Sequence, residues 1–210
     1  MKRFRFYALK LCLLMILIFI IQILFSSFID ILVLDQTSWQ QPWRFVTAIF
    51  LHGGIAHLLL NLFALVLFGS ILESLISSKR FLVVFFTTGI LANLIAVNFY
   101  DSSLGASGAI FGILGALIIL RPLMVVWVYS IPMPMFVAGI VWAAADILGA
   151  YGFFTNNPLN NTGNIAHLSG MFFGILFGFL YRKLLMKKRK FNVSLDEHEV
   201  RSWERSWMKN

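Results

Sequence analysis

Gly105-Ala106-Ser107-Gly108-Ala109-Ile110-Phe111-Gly112-Ile113-Leu114-Gly115-Ala116-Leu117-Ile118-Ile119-Leu120-Arg121-Pro122 is an apolar run too short for its surroundings. It opens on small residues, carries no charge before Arg121, and stops at Pro122, which cannot continue a helix. A helix over the 14 residues from Ser107 to Leu120 rises ~21 Å at ~1.5 Å per residue. That is less than the ~30 Å hydrocarbon core of a bilayer. With Arg121 at the cytoplasmic face, Ser107 lies below the opposite surface, and a hydroxyl is sunk in the membrane.

The rest of the chain supports lipid as its main solvent. Of 210 residues, 60% are hydrophobic and only 12% charged, against about 25% charged in soluble domains; mean hydropathy is +0.85. At roughly 20 residues per crossing there is room for six spans and short loops. The net charge of +8 does not form a nucleic-acid groove. The basic residues sit at the N-terminus (Lys2, Arg3, Arg5, Lys10), at Lys79-Arg80, at Arg121 and from Arg182 onward, with only Arg44 elsewhere. This is the pattern of cytoplasmic flanks. Cys12, the only cysteine, permits no intrachain disulfide and reads as a small buried hydrophobe.

Hydropathy places the spans at about Leu11–Leu34, Ile55–Ile76, Phe81–Phe99, Ser107–Leu120, within Val125–Ala150, and Ile165–Leu185. The first run is longer than a signal-peptide core and lacks a small-x-small cleavage site, so it is expected to be retained. The loop from Asp35 to Ala48, with Trp39, Trp43 and Pro42, suits the headgroup zone. Tyr151–Asn164 is a second external loop, rich in Asn and free of charge. The expected fold class is all-α, a polytopic membrane bundle of six transmembrane helices with a short fourth helix and both termini in the cytoplasm. Residues 1–186 form the membrane domain and 187–210 a basic cytoplasmic tail, either frayed or a short interfacial helix with Trp203 and Trp207 on one face.

Polar groups inside spans point to function. His52, His57 and His167 all fall at the outer ends of the second and sixth spans; His198 is in the tail. His57 and Asn61 are spaced i,i+4 and share a helix face. His52 and His57, five apart with no Cys or acid in the motif, do not suit a metal, so no metal and no cofactor is expected. Each piece has a plainer reading. His57 and Asn61 serve as interhelical glue, and Gly108-x3-Gly112-x3-Ala116 and Gly170-x3-Gly174-x3-Gly178 serve as packing stripes. Together the stripes let the sixth helix approach the fourth, which brings His167 within hydrogen-bonding reach of Ser107.

That juxtaposition has a chemistry. A serine hydroxyl becomes a nucleophile when a base takes its proton, so His167 would act as general base and then general acid. The Ser107 N–H at a helix N-terminus, the Asn61 amide and His57 are candidate donors to an oxyanion. Asp101 and Asp146 are the outer-side acids available to orient His167. Neither sits in a recognisable motif, and the sequence favours a dyad.

Trp43-Arg44, His52-x4-His57-x3-Asn61, Gly105-x-Ser107-Gly108 and Ala166-His167-x2-Gly170-x3-Gly174 occur in one order across nearly the whole chain. In this the chain resembles the rhomboid intramembrane serine proteases in their compact six-span form. The resemblance implies Ser107 as nucleophile, His167 as base, and His57 and Asn61 on the oxyanion side. It implies structural support from His52, Trp43, Arg44, Gly105, Gly108, Glu73, Gly170 and Gly174. Phe111 stands where many members carry a Tyr that stacks on the catalytic histidine; Phe keeps the stacking surface. The implied partners are the lipid bilayer and transmembrane-helix protein substrates, cut near the outer face, with the fifth span and the loop after it as a mobile lateral entry. A compact chain without a transit-like N-terminus points to a prokaryotic cytoplasmic membrane. Two other classes compete. An inactive client-binding relative is disfavoured because Ser107 and His167 are both present, and a small transporter because no inverted repeat is visible.

Overall fold

The computed structural model of the chain describes residues 5–25, 27–128, 130–155, 163–188 and 197–207. It is an all-α polytopic bundle. Among the described residues, five helical segments are long and apolar enough to cross a membrane: Tyr7–Leu24, Ile55–Ile76, Ser78–Ala96, Met135–Phe154 and Asn164–Leu185; Ser107–Leu120 is a shorter apolar helix beside these five. We label the helices α1 (Tyr7–Leu24), α2 (Ser27–Leu32), α3 (Arg44–Thr47), α4 (Ile55–Ala64), α5 (Ser70–Ile76), α6 (Ser78–Ala96), α7 (Ser107–Leu120), α8 (Met135–Phe154), α9 (Asn164–Lys188) and α10 (Glu197–Trp207). A π-helical turn, Leu65–Gly69, joins α4 to α5 as one span.

The bundle inverts the soluble pattern. Leu13, Ile23, Leu60, Phe63, Ile140 and Phe172 are exposed, while Gln22, Glu73, Thr88, Asn93 and Asp146 are buried. Lipid can cover the apolar exterior, but every polar group inside needs a protein partner. Glu73 finds one at the start of α1, where Tyr7 and Ala8 donate their N–H groups to Oε1 and Oε2, each at 3.1 Å. A carboxylate on the second span thus satisfies two of the orphan donors of the first and meets the positive end of its dipole.

α7 is the centre of the bundle and is buried along most of its length. Its contact with α9 is backbone against backbone. A Cβ on Gly170 would collide with the Gly108 carbonyl, and one on Gly174 with the Gly112 carbonyl. On the other side of α7, a Cβ on Gly108 would come within 2.8 Å of the Ala92 Cβ. Small residues at four-residue spacing therefore set the distance between α7 and its neighbours.

The loop between the first and second spans is ordered. A strand, β1 (Leu34–Asp35), pairs antiparallel with β2 (Ser102–Ser103) just before the Gly105-Ala-Ser turn. Buried Arg44 donates to the Val33 carbonyl at 2.8 Å, to Asp35 Oδ2 at 3.1 Å and to Gln41 Oε1 at 2.7 Å. The Trp43 indole N–H reaches the Ile31 carbonyl at 3.3 Å. Gly105 N–H donates to the Ala48 carbonyl at 2.9 Å, which fastens this loop to the start of α7.

Several boundaries differ from the hydropathy reading. The first span starts at Tyr7 and ends at Leu24, and α2 follows as a separate piece. Glu73 supplies the early start, since capped N–H groups let the helix begin among polar residues. The third span starts at Ser78 and ends at Ala96. The fifth span does not begin at Val125. Residues Val125–Val128 (β3) and Ile131–Pro134 (β4) form an antiparallel hairpin, and α8 begins after Pro134 and runs to Phe154. Pro132 and Pro134 lack the N–H that a helix interior requires. Of the segment expected as a loop over Tyr151–Asn164, Tyr151–Phe154 is helical, and 156–162 lies outside the described residues. In the tail, Glu197–Trp207 is helical with Trp203 exposed; the Trp207 side chain lies outside the described residues.

Candidate active site

A cavity of about 730 Å³ opens between α4, α7 and α9, lined by His57, Asn61, Gly105, Ser107, Phe111 and His167 among others. Ser107 is the first residue of α7. Its N–H is one of the first-turn donors that the helix itself cannot satisfy, and it points from the positive end of the helix dipole.

His167 lies in the first turn of α9. Its Nε2 is 2.8 Å from Ser107 Oγ, and its Nδ1 is 3.0 Å from Asp146 Oδ1. The two ring nitrogens thus face a carboxylate on one side and a hydroxyl on the other. One ring face is covered by Phe111, stacked at 4.3 Å between centroids and 7° between planes. Three helices, α7, α8 and α9, therefore meet at one imidazole.

Asp146 is one of the two acids named above as available to orient His167, and no motif in the sequence singled it out. Its depth follows from where the fifth span runs. A helix over 125–150 puts Asp146 at its outer end, whereas α8 runs to Phe154 and places Asp146 about two turns inside, buried at 7% exposure. The available signal was a lone acid in the apolar run Ala143-Ala144-Ala145-Asp146-Ile147-Leu148. Asp101, the other acid considered, is exposed after α6 and is not at the imidazole.

On the opposite wall, the Asn61 Nδ2 donates to the His57 carbonyl at 2.8 Å, so one amide hydrogen is used within α4. The Gly53 N–H donates to His57 Nδ1 at 3.4 Å, which leaves Nε2 to carry the ring proton. Gly105 stands against that ring with φ of +124°, and a Cβ there would lie 2.7 Å from His57 Cε1. Only glycine fits both the backbone and the space.

His52 stands behind His57, its ring edge-on at 5.2 Å. Its Nδ1 is 3.2 Å from the Phe50 carbonyl, and its backbone exchanges two hydrogen bonds with the Gln22 amide of α1, at 3.1 and 3.2 Å. Burial, with His57 adding to it, pushes the His52 pKa down to about 4, so the ring is neutral at pH 7.

Sequence reasoning also passed over Tyr100, which lines the cavity. Its hydroxyl accepts the Ile165 N–H at 3.1 Å. Burial raises the phenol above its ordinary value, the Ile165 bond opposes this, and the nearby Asp146 carboxylate adds to the rise.

The profile of the Rhomboid domain matches residues 39–184. Over 143 residues the chain is 38% identical to the Rhomboid protease GluP of Bacillus subtilis (strain 168), covering 66% of this chain and 26% of that protein. It is 30% identical over 143 residues to RHOMBOID-like protein 6, mitochondrial, of Arabidopsis thaliana, covering 67% and 44%. It is 28% identical over 185 residues to Rhomboid protein 1, mitochondrial, of Saccharomyces cerevisiae (strain ATCC 204508 / S288c), covering 72% and 51%. The chain spans from about a quarter to about half the length of these relatives.

Proposed function

The chain belongs to the rhomboid family, and from that premise we propose that it is an intramembrane serine endopeptidase. It cleaves single-span membrane proteins near the outer face of the bilayer. The observation that carries this reading is the 2.8 Å contact between Ser107 Oγ and His167 Nε2 at the wall of the cavity.

In the proposed reaction His167 takes the Ser107 proton as Oγ attacks the scissile carbonyl. The Oγ–C bond forms and the carbonyl electron pair moves onto oxygen. The Ser107 N–H, the His57 Nε2–H and the Asn61 amide are the donors assigned to that oxyanion. The proton on Nε2 then passes to the leaving amine as the C–N bond breaks. Water, activated by the same nitrogen, hydrolyses the acyl ester. A peptide bond locked in a helix is shielded from attack, so the substrate segment must unwind to enter. Segments that unwind readily near the surface are the preferred substrates.

Orientation follows from charge. Lys79-Arg80, Arg121 and the basic run from Arg182 support a cytoplasmic placement of both termini, with the cavity open to the extracytoplasmic side of a cytoplasmic membrane.

The test is cleavage of a reporter single-span protein in liposomes by the wild type, Ser107→Ala and His167→Ala. Cleavage by the wild type alone supports the assignment, together with fluorophosphonate labelling that Ser107→Ala abolishes. Cleavage that persists in either variant sinks it. A client held by the folded wild type without cleavage or labelling would make the chain a binding protein instead.

A further inference from the structure

We propose that Asp146 is a positioning residue for His167, so that the site works as a serine–histidine–aspartate relay carried by three helices. This rests on the protease reading of Ser107 and His167 above.

An ionisable group inside a span is costly and needs a partner. Of the two buried acids among the described residues, Glu73 discharges this requirement at the start of α1. Asp146 does so at His167 Nδ1, 3.0 Å away, with both side chains largely out of solvent. The contact is on the nitrogen opposite the one that faces Ser107, so a single imidazole bridges acid and nucleophile. Phe111 fixes the ring plane and Asp146 fixes its rotation and tautomer. A proton held on Nδ1 leaves the Nε2 lone pair directed at the serine hydroxyl.

During attack the serine proton moves to Nε2 and the ring becomes a cation. Asp146 stays ionised throughout and accepts no proton; it stabilises the cation by its charge. The other titratable groups facing this pair are His57 from α4 and Tyr100 from the segment after α6. Neither reaches Nδ1, which Asp146 occupies.

Full-length protein is assayed on the reporter substrate with Asp146→Asn, Asp146→Glu and Ser107→Ala side by side. Asp146→Asn is expected to lower kcat on the order of 10⁴-fold, the scale at which an orienting carboxylate acts in soluble serine hydrolases, with KM and melting temperature close to wild type. Asp146→Glu, which restores the charge, recovers part of kcat. A purely structural ion pair would instead lower the melting temperature and leave kcat within a few-fold, and that result overturns the proposal. Cleavage by Ser107→Ala would overturn the underlying site, whatever Asp146 does. Should Asp146→Asn fail to fold, nitrogen NMR of ¹⁵N-histidine wild type decides, with the His167 signals assigned by His167→Gln. A neutral His167 protonated on Nδ1 supports the relay, and one protonated on Nε2 overturns it.

Discussion

At the scale of single residues, the imidazole of His167 is held on three sides, and each contact has its own consequence. Phe111 covers a face without contributing a polar atom. Phe111→Tyr keeps the ring and is expected to retain activity within a few-fold. Phe111→Ala frees one face of the imidazole. Aromatic stacking contributes about 0.5–1.5 kcal/mol beyond buried area, so the expected loss in kcat is up to about 10-fold, read from initial cleavage rates. Gly105 is less forgiving. Its φ of +124° and the 2.7 Å gap to His57 leave no room for a methyl group. Gly105→Ala should cost roughly 1–3 kcal/mol in backbone strain alone and displace His57. Thermal unfolding and cleavage should therefore fall together, and a variant with full activity would show that His57 is not needed where it stands.

At the scale of elements, the active geometry depends on how closely α9 lies against α7. A Cβ at the Gly170 or Gly174 position would collide head-on with the backbone carbonyl of Gly108 or Gly112, whereas a Cβ on Gly178 would lie 2.7 Å from the Ile119 Cβ and 3.1 Å from the Ala116 carbonyl, a milder overlap. Alanine at 170 or 174 must push the helices apart, and displacements of ~1 Å at a reacting pair can cost about 10²-fold in rate. Gly170→Ala and Gly174→Ala are expected to lose activity on that order, and Gly178→Ala much less; equal effects at all three would mean the stripe sets stability only. The stripe was legible in the sequence because four-residue spacing of small residues has one geometric meaning on a helix. The 14-residue span was legible for a similar reason, since Arg121-Pro122 fixes its end. The start of α8 was not. Val125–Pro134 is apolar without a helical period, and such a run does not by itself separate strand from helix. Pro132 and Pro134 were the evidence against helix. That one boundary left the depth of Asp146 unread, and with it any ground for preferring Asp146 over Asp101, because the depth of a residue follows from where its helix begins and ends.

At the scale of the whole molecule, α1 is joined to the rest of the bundle by polar clasps near both of its ends. Glu73 holds the Tyr7 and Ala8 end, and the Gln22 amide holds the backbone of His52 at the other. Between them α1 packs through Ala8, Leu11, Cys12 and Met15. The ring of His52, beside that clasp, is sensitive to acid. Burial places the folded-state pKa at about 4 against an ordinary 6.5, so the native state holds the neutral ring and the unfolded chain takes up a proton first. Stability from this group is therefore fully present above pH 6.5 and declines as pH falls, until the folded state also protonates near pH 4. A depression of this size corresponds to about 3 kcal/mol at most. The melting temperature in detergent is expected to drop between pH 7 and pH 4 in the wild type. Replacing the ring with one that cannot titrate, His52→Phe, should flatten that decline even though it lowers the melting temperature at pH 7 by disturbing the contact with Phe50. An unchanged slope in His52→Phe would place the acid sensitivity elsewhere in the bundle.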